Sequence, residues 1–154
     1  MTRGPVAALL LALFLTVGVA LGADEIPESH DDRPQKVISL GASRISPTRL
    51  TMDTGDVLAF QNYSPKVLQV IFLEPPGLAG KVQCKQIERV AEDAAITPGA
   101  LFKRRGDQVV ALIAPGAFVS VCGLPRGNYV YSVAPFTPQQ AGERQGEKGQ
   151  IVVQ

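Results

Sequence analysis

SPTRLTMDTGDVLAFQN, residues 46–62, sets two short apolar runs on either side of a turn. Thr48–Met52 and Val57–Asn62 are too short for helices of ordinary length and are rich in residues that suit a pleated sheet. Between them, Asp53, Thr54, Gly55 and Asp56 are residues that close tight turns through side-chain acceptors and glycine's freedom. The segment therefore reads as strand, turn, strand.

The same rhythm continues on both sides. Further strands are expected at Val37–Leu40, Val67–Phe72, Val109–Ala114, Ala117–Val121, Asn128–Val133 and Gln150–Val153. Pro115 and Gly116 separate two of them, and Pro125, Arg126 and Gly127 precede a third. Seven to eight short strands at this spacing predict an all-β chain, a Greek-key β-sandwich with one loop or helix insertion.

The insertion spans residues 74–107 and opens with Pro75, Pro76 and Gly77. Val82, Ile87, Val90, Ala91 and Ala94 fall at helical spacing, which predicts a helix over Val82–Ala94. Lys103, Arg104 and Arg105 precede Gly106 and Asp107 and read as a solvated turn. An excursion of this length is a natural place for a binding surface or for a packed loop.

At the amino terminus Arg3 precedes an apolar run, Val6–Val19, which ends in the small residues Ala20, Gly22 and Ala23. This is the pattern of a secretory signal peptide over residues 1–23, cut after Gly22 or Ala23. The run is shorter than the roughly 20 apolar residues of a spanning helix. Residues 24–35, DEIPESHDDRPQ, are acidic, hold two prolines and lack apolar periodicity, so they are expected to form a flexible arm. Residues 36–154 then make one domain of ordinary size.

Of 15 basic and 14 acidic side chains only Arg3 lies in the leader, so the mature chain has no net charge. Nothing in that balance favours nucleic acid or an anionic membrane. Export places Cys84 and Cys122 in an oxidising compartment, where a disulfide between them is the expected state. A pair of thiolate metal ligands is the other reading, although no CxxC spacing exists. His30, the only histidine, sits among acids in the arm and reads as solvated. Serine-hydrolase chemistry lacks its base. Asp53, Asp56 and Glu74 are the carboxylates available for acid–base work, but two of them flank a turn where Asp is ordinary. No phosphate-binding glycine loop is present, and the chain is expected not to be an enzyme.

Residues 46–62, together with APGAFVSVCGLPRGNYVYSVAPF at 114–136 and KGQIVV at 148–153, resemble the cupredoxin (blue copper protein) family. The likeness rests on a Pro-led strand, a Gly-Asp turn, a strand ending in Asn, a Pro-Gly turn, a Gly-x-Tyr-x-Tyr strand and a closing Gly-x-Ile-x-Val strand. It covers roughly residues 36–72 and 109–153. The resemblance implies a copper held by two His, one Cys and a weak axial Met. It places those ligands at Leu68, Val133 and Phe136, none of which is a ligand residue, with the axial position within 139–142, where no Met stands. Leu68 alternates with Val70 and Phe72, and Val133 with Tyr129 and Tyr131, so an apolar plug is expected where the metal would be. What the resemblance implies, then, is a degenerate copper site and no cofactor.

The expected function is an exported, copper-free binding or structural module, periplasmic or extracellular, accessory to a redox complex or docking another protein. Phe102 and Phe136 are its candidate exposed anchors. The alternative is copper binding or electron transfer at an atypical site drawing on His30, Met52 and the cysteines.

Overall fold

The computed structural model describes residues 35–82, 87–91, 95–121, 123–138 and 146–154. Their elements run β1 (Gln35–Leu40), β2 (Ile45–Ser46), β3 (Arg49–Met52), β4 (Val57–Asn62), β5 (Leu68–Glu74), α1 (Leu78–Lys81), β6 (Glu88–Val90), β7 (Lys103–Arg105), β8 (Gln108–Ile113), β9 (Phe118–Val121), β10 (Gly127–Pro135) and β11 (Glu147–Val153). They form two sheets, one ordered β2-β1-β4-β9 and the other β3-β11-β10-β5-β8-β7-β6. The chain is a β-sandwich. It crosses between layers from β2 to β3, β3 to β4, β4 to β5, β8 to β9 and β9 to β10, whereas β1–β2, β5–β8 and β10–β11 each stay within one sheet.

Alternation of side chains builds the layer between the sheets. Ile38, Leu40, Leu58, Phe60, Val119 and Val121 face inward from the smaller sheet, and Val70, Phe72, Ala111, Ile113, Tyr129, Tyr131 and Ile151 from the larger one. Phe60 is central to the aromatic packing. Its ring meets Tyr131 at 5.0 Å, Phe102 at 5.8 Å and Phe72 at 6.2 Å between centroids, all edge to face, the geometry that a ring quadrupole favours. Burying one such ring stabilises the fold by roughly 1.5–3 kcal/mol.

Outward positions of the smaller sheet carry Gln35, Val37 and Ser39 on β1, Val57, Ala59 and Gln61 on β4, and Phe118 and Ser120 on β9, with no charged side chain among them. The larger sheet differs. Its outward positions include Arg49, Lys148, Lys103 and Arg105. In its middle, β8 is buried along both faces from Val109 to Ile113.

The turn at Asp53–Asp56 forms as expected. Asp53 N–H donates to Asp56 Oδ2 at 3.0 Å, Asp56 N–H returns to Asp53 O at 3.1 Å, and Gly55 takes a φ of 101° that suits glycine. Thr54 fastens the turn to the other end of the chain, its N–H and hydroxyl both donating to Gln154 O, at 3.1 and 2.8 Å.

Three sequence expectations need correction. Eleven strands are present among the described residues rather than seven or eight, because Ile45–Ser46, Glu88–Val90 and Lys103–Arg105 are too short to show any period. The helix expected over Val82–Ala94 is absent from the described residues of that span: α1 covers only Leu78–Lys81 and ends where Val82 turns extended at φ −75°, ψ 116°. Farther on, Glu88–Val90 pairs parallel with β7, so sheet pairing overrides the helical spacing. Val82 and Ile87 still pack on the core, Val82 from extended backbone. Finally, Lys103, Arg104 and Arg105 form a half-buried strand, and only Gly106 and Asp107 make the turn. Residues 1–34, including the signal segment, nearly all of the arm and His30, lie outside the described residues, as do Cys84, Cys122 and 139–145.

Candidate functional site

β5 and β10 pair antiparallel with Leu68 opposite Pro135 and Val70 opposite Val133. This register brings Leu68 and Val133, two of the residues at the expected ligand positions, to one end of the sandwich. Both line a cleft of about 240 Å³. Ile45 completes its apolar floor, while Ser43, Arg44, Gly146 and Glu147 surround it. Leu68 is 3% and Val133 8% exposed, so their carbon side chains fill the base of the cleft.

Phe136 stands apart from Leu68 and Val133. It is half-buried and fixed by its N–H, which donates to Val67 O at 2.9 Å, but it does not line the cleft. Phe102 is not an exposed anchor. It is fully buried against Phe60 and Phe72, because the chain between residues 98 and 102 passes from one sheet toward the other. Gly99 N–H donates to Leu112 O at 3.1 Å in the larger sheet, and Leu101 bridges Ser120 in the smaller one. Tyr63, which sequence reasoning passed over, is the exposed aromatic on the loop that carries the chain from β4 to β5, at 69%. Its position just after the buried Asn62 was the available signal.

Asn62 organises that loop. Its side-chain amide donates to Lys66 O at 2.8 Å, Ile113 O at 2.9 Å and Ala114 O at 3.2 Å, and its Oδ1 accepts Ser64 N–H at 2.8 Å. The backbone of Asn62 adds bonds to Ala117 and Gly116, both 2.9 Å. The strand-ending Asn is thus a buried pin that ties the β4–β5 loop to the β8–β9 turn.

Behind the cleft, Tyr131 shares the inward face with Val133. Its hydroxyl is buried and has no hydrogen-bond partner. Gly149 lies opposite it across the β10–β11 ladder, and a Cβ there would run into the Tyr131 ring. Burial, and then the nearby Glu147 carboxylate, push the Tyr131 phenol well above its ordinary range, so it stays protonated. Glu147 is itself engaged: Ile45 N–H donates to its Oε1 at 3.1 Å. Tyr129, also raised by burial, donates its hydroxyl to Pro125 O and fastens the entry to β10.

The chemistry open to this end of the sandwich is limited. Leu68 and Val133 offer carbon where a metal would need a lone pair, and among the described residues no group of three or more His, Cys, Asp or Glu side chains converges. Asp56 spends its carboxylate on the turn at Asp53.

Solved structures of amicyanin point mutants are similar to this chain. An oxidised form and a Cu(I) form each cover 82% of this chain and 87% of their own, at 14% identity and a TM-score of 0.47. Another oxidised mutant shows 16% identity and a TM-score of 0.46. No protein-family model matches the chain, and no curated protein matches it in sequence. The likeness lies in the path of the chain, and no residue's role is carried across from it. No helix among the described residues is long and apolar enough to cross a membrane.

Proposed function

We propose that this chain is a divergent, copper-free member of the cupredoxin family, exported through its signal peptide to the periplasm or cell exterior. There it serves as a non-catalytic binding or structural module. The observation that carries the reading is the pair Leu68 and Val133, which together fill the base of the cleft where the resemblance would place a metal. A type 1 site needs imidazole and thiolate donors, and two buried aliphatic side chains supply neither. The residues present do not fit the ion. Their burial stabilises the sandwich by roughly 1.5–3 kcal/mol per side chain, so the fold does not depend on a metal for the contacts at that end.

A module without chemistry of its own acts through its surface. The exposed Tyr63 and the half-buried Phe136 are the aromatics available to a partner at this end, and the Asn62 network holds the loop that carries Tyr63 in one shape. Pre-organisation of that kind lowers the entropy lost on docking. In this reading the domain contributes a docking surface beside a partner, including one in a redox complex, and carries no electron.

The test is copper loading of the purified mature protein, followed by desalting, metal determination by mass spectrometry and titration of free thiols. Copper far below one per chain with no free thiol is the expected result. Stoichiometric copper would overturn the reading and direct mutagenesis to His30, Met52, Cys84 and Cys122.

A further inference from the structure

The outward face of the four-stranded sheet is uncharged across β1, β4 and β9, whereas the other sheet sets Arg and Lys at its outward positions. Val37, Val57, Ala59 and Phe118 are apolar among these outward positions and the rest are uncharged, whereas sheets ordinarily guard exposed edges with charge. Here Val37 is 45% and Phe118 52% exposed, and Leu101, bridged to Ser120 beside them, is 39% exposed. Gln61, the polar side chain between Ser39 and Phe118 in the register, is turned to internal use: its Nε2 donates to Gly116 O at 2.9 Å and Ala117 O at 3.2 Å. Phe118 forms one wall of an apolar groove of about 430 Å³ whose other walls include Pro98, Ala100, Ala114 and Ala117.

From these observations we infer that the chain associates with a second copy of itself through this face, each Phe118 seating in the partner copy's groove. A projecting ring and an apolar groove side by side on one face are what a two-fold pairing needs, because the symmetry operation exchanges them. No charge on the face opposes its own image. The mature chain's balanced charge adds almost no long-range repulsion between copies. Three strands about 4.8 Å apart and the adjoining groove present an area on the order of 400 Å² per copy, about half that of a standard interface, which sets the pairing in the weak, concentration-dependent class. The inference is independent of the copper reading, since no residue of the face lies at an expected ligand position.

Sedimentation velocity on the purified mature chain, from about 1 μM to 1 mM, a range that brackets weak association, tests this directly. A reversible rise from monomer to dimer is expected, lost in Phe118→Asp and weakened at least tenfold in Val37→Lys. Lys148→Glu on the other sheet should leave it unchanged. Both lost-contact positions are exposed, and circular dichroism melts of the variants confirm that they fold. A monomer at every concentration, dimers that persist in both variants, or dimers lost equally in Lys148→Glu would each overturn the inference.

Discussion

Asn62 concentrates more hydrogen bonding than any other side chain described above. Its amide serves carbonyls on two separate segments and accepts from Ser64. Asn62→Ala would leave several of those groups unpaired in a site with no exposure, at a cost on the order of 3 kcal/mol. Urea unfolding should show a lower midpoint with an unchanged slope. Tyr131 presents the opposite case, because its buried hydroxyl bonds to nothing. Tyr131→Phe removes that orphan and should stabilise the protein by about 1 kcal/mol. The two residues with raised phenols also set a pH dependence. In the unfolded chain a tyrosine ionises near pH 10, while folded Tyr131 and Tyr129 hold their protons to higher pH. Above about pH 10 the unfolded state therefore binds fewer protons than the native one, and stability falls as pH rises. Melting temperatures measured between pH 8 and 11 should stay level and then drop, with a shallower drop in Tyr131→Phe.

Residues 74–107 are built into the sandwich by more than their ends. They supply β6 and β7 to the larger sheet and Phe102 to the core. Phe102→Ala should cost about 3–5 kcal/mol, measurable as a large fall in melting temperature, whereas an aromatic on a loose excursion would cost almost nothing. This element was the least legible in the sequence. Phe102 precedes Lys103, Arg104 and Arg105, and a charged run reads as surface even when its neighbour points inward. The apolar spacing from Val82 to Ala94 matched a helix, but three residues of parallel pairing with β7 outweighed it. The eight longer strands were readable because most alternate an inward apolar residue with a period of two, because β5 and β8 are short unbroken apolar runs, and because Gly, Pro and Asp mark their ends. The cleft was half readable: Leu68 and Val133 could be placed by phase, but the position of Phe136 outside it depends on the backbone bond to Val67, which leaves no trace in composition.

For the whole molecule, the proposed absence of a metal means that no part of its stability comes from metal binding. Thermal unfolding of the mature chain should be a single transition, with the same midpoint in excess copper and in excess chelator; a metal that bound the folded state would raise it. Leu68→Ala should lower that midpoint, by about 2–5 kcal/mol in free energy, since it would open a cavity beside Val133 at the base of the cleft. The two-layer architecture followed from strand count and turn spacing. Its division into four and seven strands did not, because which strands share a sheet is fixed by long-range register that no local pattern encodes.

Gly149 has a consequence for how such sequences can drift. Its missing side chain is the space that the Tyr131 ring occupies, so the two positions cannot change independently. Any descendant that acquires a side chain at position 149 must first, or at the same time, trade the ring at 131 for something smaller. Across relatives the two columns should therefore covary, and a lineage that kept the ring would keep the glycine.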